Sequence, residues 1–540
     1  MKKILCLIIT TLTIITITGC KKNIKPKDEI PSITNVNKIG SKVKKMNLDF
    51  NDVTYKAELD KALENIKNAN NYDEIYDYLT PISIKTNTLL NKYLVADSLK
   101  NYDPENNTYI EKSNILNDAY YYYVDFYNNL VVELSKDDSY LEDFFQGYTA
   151  DEIEFTVNEC KKKLDENYIK LSKELDEIRD EANKITISMS DTTYDDKLLD
   201  LIFDYVNKNK ELAKILEYDS YITYADLVRG RSYTQTDVDD FINNAKKYLL
   251  PLMNSNCDFI DLNSELANLS RSEYNYLVEF TTSSIFDKDY STYKLLDDYS
   301  KKMGGSYYKS YIDLMDNGYY IFANKQNSLV SAYTNRYLCY FGPNNQDAQS
   351  VAHEFGHYYS QQNELLLTKS LDLKEYYSQA NAFLFTSYLE QTSNKTLKKI
   401  YNTDTKILVS DACKTIVIAS ALREFEEKLY TTTLTSKDDI KTIWNELNYN
   451  EYNGYLKDYW KVEIRYDLYY LSYATSVTGA VGLYNMSQND LDGAIATYIK
   501  TVNNQSIDDD INEVLYKAGL NSPFSEEAFI NIVNTLKEKR

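Results

Sequence analysis

At 540 residues the chain is too long for one ordinary hydrophobic core, so two lobes are expected. Its formal net charge of −22, with 82 acidic against 60 basic side chains and no basic stripe, excludes nucleic acid as a partner. Only seven prolines occur, none between Asn344 and Ser522, and no glycine falls between His357 and Gly454; such unbroken runs predict a mainly α protein.

The N-terminal stretch predicts a compartment. Lys2 and Lys3 precede an uncharged, mostly apolar run from Ile4 to Ile17, closed by Thr18, Gly19 and Cys20. That run is too short to span a bilayer and reads as a secretory signal over residues 1–19. The cysteine directly after Gly19 resembles a bacterial lipobox, which implies a lipid on Cys20 and attachment to the outer, extracytoplasmic face of the cytoplasmic membrane. Residues 20–46 are lysine-rich, carry Pro26 and Pro31, and have few large apolar side chains. They are expected to form a disordered tether whose charge suits an anionic membrane face. No later segment has eighteen consecutive apolar residues.

From residue 47 to 215 the apolar positions recur at helical spacing, as in Leu59, Ala62, Leu63 and Ile66, and predict a helical lobe of antiparallel hairpins. Residues 216–540 hold the chemistry and are read as a catalytic lobe. Thr236 is the expected N-cap of its early helix. Cys160, Cys257, Cys339 and Cys413 match no zinc-ribbon spacing; they allow two disulfides in three pairings, or free buried thiols. The run from Tyr333 to Phe341, ended by Gly342-Pro343, is the best strand candidate and predicts a small β-sheet beside the next helix.

That helix carries Val351-Ala352-His353-Glu354-Phe355-Gly356-His357, an H-E-x-x-H sequence that contains both histidines of the chain. Positions i and i+4 share one helical face, so His353 and His357 can hold one metal ion, with Glu354 placed as the base that takes a proton from water. Catalytic zinc ordinarily has three protein ligands. With no third histidine, the remaining ligand must be an acid or a thiol from another element. Glu375, Glu364 and Glu390 compete on spacing, and Asp372 with Glu375 also fits a capping box in which Glu375 merely caps its own helix.

The H-E-F-G-H motif followed by Asp372-Leu373-Lys374-Glu375-Tyr376-Tyr377-Ser378-Gln379 resembles the oligoendopeptidase F and thimet oligopeptidase family of zinc peptidases. The resemblance spans about residues 216–502. It implies that Glu375 is the third zinc ligand and that the fold is a two-lobed helical shell around a deep channel. Ala382 stands where the family has a further glutamate. Arg465-Tyr466-Asp467-Leu468-Tyr469-Tyr470-Leu471-Ser472-Tyr473 is similar to the family's Y-D-x-x-Y-x-x-Y element, without the histidine usually found upstream. Tyr466, Tyr470 and Tyr473, at i, i+4 and i+7, are expected on one helical face as donors to an oxyanion, with Tyr469 able to replace Tyr470. The alternative is a tyrosine-rich core stripe.

Together these features predict a surface-tethered, monomeric peptidase with one Zn2+ that cleaves internal bonds of short unfolded peptides. The other readings are a peptide-binding lipoprotein with a decayed site, and a carboxypeptidase-type relative in which a basic residue such as Arg336 or Arg465 faces the substrate carboxylate.

Overall fold

The computed structural model describes residues 38–185, 192–253, 259–282, 291–323, 333–342, 347–362, 369–391, 395–447, 449, 456–506 and 509–540. The signal segment, most of the tether, Cys257 and Glu364 lie outside these residues.

The N-terminal lobe is built on α1 (Asp52–Lys67), α2 (Tyr72–Tyr102), α3 (Asn107–Leu134) and α4 (Ala150–Lys163). Side chains start these helices where the pattern changes. Asn51 accepts from the Thr54 amide, Asn71 from the Glu74 amide, and Thr149 with Glu152 makes a full capping box. Each satisfies an N–H that the first helical turn leaves orphaned. The inward faces, among them Leu59, Leu79, Leu116 and Leu130, close into one core that runs from Tyr55 to Cys160.

The larger core runs from Leu171 to Leu536. It takes in α5 (Glu166–Asn183) and α6 (Asp195–Ile215) through Leu175, Leu198, Ile202 and Tyr205. The cores therefore part between Cys160 and Leu171, whereas the sequence pattern placed the lobe boundary at residue 215. Amphipathic helices show in sequence that they have a buried face, but not which lobe buries it. The early helix of this lobe begins at Gln235, two residues before its expected start, because Thr234 and Asp237 form a capping box.

A four-stranded sheet joins the lobes, in the order β1 (Lys38–Ile39), β2 (Tyr320–Phe322), β4 (Leu338–Phe341), β3 (Tyr333–Asn335). β1 is antiparallel to β2, β2 parallel to β4, and β3 antiparallel to β4 with Thr334 opposite Cys339. The single strand expected from Tyr333 to Phe341 is thus a hairpin. Asn335 makes the turn, its side chain accepting from the amides of Tyr337 and Leu338, as asparagine does in tight turns. Val43, Val95 and Leu99 pack with Ile321, Leu338 and Tyr340 and fasten the sheet to α2. The expected tether is corrected at its C-terminal end: Lys38 and Ile39 form a strand and Val43 is buried. Apolar residues there dock on a surface supplied by distant sequence.

Four more helices frame the site: α7 (Ala348–Ser360), α8 (Leu371–Glu390), α9 (Lys395–Thr431) and α10 (Tyr470–Asn489). α8 is buried on nearly all sides and packs on α7 and α10. Cys160, Cys339 and Cys413 are free, buried thiols. Among the described residues, no helix is long and apolar enough to cross a membrane.

Candidate metal centre

α7 begins at Asp347, whose carboxylate accepts from the Ser350 amide at 2.9 Å. One turn apart on its inner face, the His353 and His357 rings lie 5.0 Å apart at 84°. α8 begins at Ser370, whose hydroxyl accepts from the Leu373 amide at 3.3 Å. Ser370 therefore caps this helix, and Glu375 instead points at the histidines. Its Oε2 lies 3.9 Å from His353 Nε2 and 3.6 Å from His357 Nε2, and the three ligand atoms all fall within 4.8 Å of one another.

Helix contact makes this convergence possible. A Cβ on Gly356 would stand 2.6 Å from Ser378 Cα and 2.7 Å from the Tyr377 carbonyl oxygen, so only glycine lets α7 approach α8 this closely. Asn381 of α8 donates to the Ala352 carbonyl at 2.5 Å and accepts from the Tyr299 and Tyr307 hydroxyls at 2.9 Å each. Gly356→Ala is expected to cost about 1–3 kcal/mol of stability through overpacking and to weaken metal binding by spreading the candidate ligands. The denaturation midpoint and a chelator competition measure the two effects.

The donor set fits a cation. Glu375 Oε2 is buried and has no hydrogen-bond partner, and the two imidazole nitrogens it faces are too far for one. An orphaned, buried carboxylate oxygen is costly unless something positive sits beside it. Two imidazoles and one carboxylate are the donor types that zinc takes in catalytic sites. The other carboxylate oxygen accepts from the Tyr469 hydroxyl at 2.6 Å, which fixes its orientation as ligand-holding partners do.

Electrostatics differentiate the four groups. Burial pushes His353 down to about 3, helped by its neighbour His357 and opposed by Glu375, so it is held neutral. Burial also presses on His357, but the adjacent Glu375 outweighs it and raises its pKa. Glu375 is held below its usual range despite burial, because His357, His353 and the Tyr469 hydroxyl all favour its charged form. Glu354 is raised to about 7 by burial, against the pull of His357 and of Thr334. The Thr334 hydroxyl of β3 donates to Glu354 Oε2 at 2.5 Å, leaving Oε1 free of that bond. Thr334 is a site residue that sequence reasoning missed. It carries no motif, and only the hairpin register brings it to α7.

The competing acids separate clearly. Glu390 accepts from Lys539 and from the Tyr484 hydroxyl, each at 2.6 Å, at the far end of α8; Glu364 lies outside the described residues. The tyrosine block is not one continuous helical face. A short helix ends at Tyr466, the chain turns through Asp467–Tyr469, and α10 starts at Tyr470. The side chain of Tyr466 is outside those described. Tyr469, not Tyr470, bonds Glu375; Tyr473 packs on it edge-on at 4.9 Å. Tyr470 is buried, 6.4 Å from the Tyr473 ring. Arg465 Nη2 donates to the carbonyls of Ala182, in the last turn of α5, and of Ile185 just beyond it.

No protein-family model and no curated protein matches the sequence. Solved structures do. PZ peptidase A with inhibitor 2 matches at a TM-score of 0.67 and 14% identity, over 92% of this chain and 99% of that one. Oligoendopeptidase-F from Enterococcus faecium matches at 0.54 and 13%, over 90% and 97%. Trypanosoma cruzi metallocarboxypeptidase 1 matches at 0.51 and 12%, over 90% and 99%. Along almost its whole length, the chain has the helical two-lobed fold of these peptidases.

Proposed function

We propose that this protein is a zinc-dependent peptidase that hydrolyses internal bonds of short, unfolded oligopeptides. The observation that carries the reading is the buried cluster of His353, His357 and Glu375, with an unpartnered carboxylate oxygen and with Glu354 beside it. Zinc bound by these three residues supplies Lewis-acid polarisation of a carbonyl and a more acidic water. The chain's own residues do the rest. Glu354, poised near neutrality and braced by Thr334, takes a proton from water and passes it to the leaving amine. Tyr473, packed edge-on against Tyr469, offers a hydroxyl where negative charge develops on the scissile carbonyl oxygen, while the Tyr469 hydroxyl stays on Glu375. β3, at one edge of the sheet and next to α7, offers backbone groups to an extended peptide. The His353 side chain is 16% exposed against 3% for Glu375, so the cluster is most open on the His353 side.

Lys2, Lys3, the apolar run and Cys20 support a lipid anchor that holds the enzyme at the outer face of the cytoplasmic membrane, where it trims peptides from the surroundings. Cys20→Ser is then expected to release the protein from membrane fractions. Digestion of a peptide mixture, with products identified by mass spectrometry, tests the activity. Internal fragments support the proposal, whereas loss of single residues from C-termini makes the protein a carboxypeptidase. Tyr473→Phe keeps the packing of the ring and is expected to lower turnover on the order of 10²–10³-fold. A silent Tyr473→Phe would make the tyrosine pair core packing.

A further inference from the structure

The turn that presents Tyr469 to Glu375 is strained. Leu468 has φ of +53°, a left-handed conformation that residues with side chains seldom adopt. Such a conformation persists only where its surroundings over-determine it, and here the Leu468 amide and carbonyl and the Asp467 carbonyl and carboxylate are all gripped. The Leu468 amide donates to Glu426 Oε1 of α9 at 2.7 Å. The Leu468 carbonyl accepts from Arg231 Nη2 at 2.7 Å, and the Asp467 carbonyl from Arg229 Nη2 at 2.6 Å. The Asp467 carboxylate accepts from the Tyr205, Tyr221 and Tyr430 hydroxyls at 3.0, 2.7 and 3.2 Å.

Arg231 also links the turn to the helix that carries Glu375. Its guanidinium donates to Ser472 Oγ at 2.8 Å; Ser472 in turn donates to Asp372, three residues before Glu375 on α8. Asp226 locks this arginine in place, accepting from Arg231 at 2.6 Å and from Arg423 of α9 at 2.7 Å. Arg231 and Arg423 are both essentially fully buried. A buried set of charges this extensive, away from the metal cluster, is expensive to maintain, and the reacting groups themselves make no use of it.

We infer that Glu426 and Arg231 are positioning residues: they hold Leu468 left-handed and thereby aim the Tyr469 hydroxyl at Glu375. The role rests on the peptidase reading only for its consequence in catalysis; the geometry it controls exists without metal. Glu426 → Leu468 amide → Tyr469 → Glu375 is one mechanical chain, so removing the Glu426 acceptor should let residue 468 relax to negative φ and pull Tyr469 off the carboxylate. Burial pushes the Glu426 carboxyl up, against Arg423 and with Asp467. A neutral amide of the same shape should therefore serve as well as the acid.

The test uses crystal structures of the full metal-free chain together with zinc affinity from chelator competition. In Glu426→Leu the Tyr469–Glu375 hydrogen bond is expected to be lost and zinc binding to weaken ~10–100-fold, the scale for removing a group that orients a ligand. Glu426→Gln should keep both. Adding Leu468→Gly to Glu426→Leu should restore the bond and the affinity, because glycine adopts positive φ without help; a merely stabilising role for Glu426 would not be rescued this way. Should Glu426→Leu fail to fold, Leu468→Val reads the same turn, since a β-branched residue resists positive φ. The inference is overturned if Tyr469 stays on Glu375 in Glu426→Leu or in Leu468→Val, or if Leu468→Gly rescues nothing. A wild type that binds no zinc would sink the peptidase reading, while the metal-free structures would still decide this one.

Discussion

Glu354→Gln is expected to lose at least ~10²-fold in turnover, the scale for removing a positioned general base, while retaining its metal and its fold. The glutamate is not one of the three clustered ligands; it stands beside them, buried, with one oxygen bonded to Thr334. A glutamine of the same length still accepts that bond, so the packing between α7 and β3 survives. What disappears is the ability to take a proton, which in the acid is tuned by burial to about 7. Zinc content, peptide affinity and initial rate on one substrate separate these effects. A Glu354→Gln enzyme working at the wild-type rate would show that the base lies elsewhere.

Glu375→Ala should have the opposite signature, losing metal first. The change removes one donor of three, leaving two imidazoles in a buried site, and strands the Tyr469 hydroxyl without its 2.6 Å acceptor. Removing a group that only orients a ligand costs ~10–100-fold in metal affinity, so loss of the ligand itself should cost more than ~10²-fold. Glu390→Ala is the matched control on the same helix. Its carboxylate serves Lys539 and Tyr484, so zinc binding should be unaltered although stability falls by about 1.5–3 kcal/mol, as for hydrogen bonds to a charged group. Equal zinc affinity in wild type and Glu375→Ala would remove Glu375 from the ligand set.

How far the sequence could be read depended on the range of the interaction. The pairing of His353 with His357 follows from helical periodicity alone, and uninterrupted runs without glycine or proline foretold α8 and α9. A resemblance, not spacing, singled out Glu375, since Asp372 and Glu375 fit a capping box equally well; only Ser370 in the N-cap position separates the two uses. The tyrosines were misplaced because an i, i+4, i+7 pattern presumes an unbroken helix. The chain instead turns at Leu468, whose left-handed backbone is imposed by Glu426 and Arg231 from distant segments. Thr334 was invisible for the same reason: its meaning lies in a strand register, and Asn335, which sets that register, was read as part of one long strand.

Hydrolysis of a quenched fluorescent oligopeptide by the purified chain, before and after treatment with a chelator and then with zinc restored, tests the central claim most directly. The account predicts cleavage that the chelator abolishes and stoichiometric zinc restores, with Glu354→Gln inert throughout although it binds the same zinc. Peptide bound but never cleaved by the zinc-loaded wild type, or cleavage indifferent to the chelator, would contradict it.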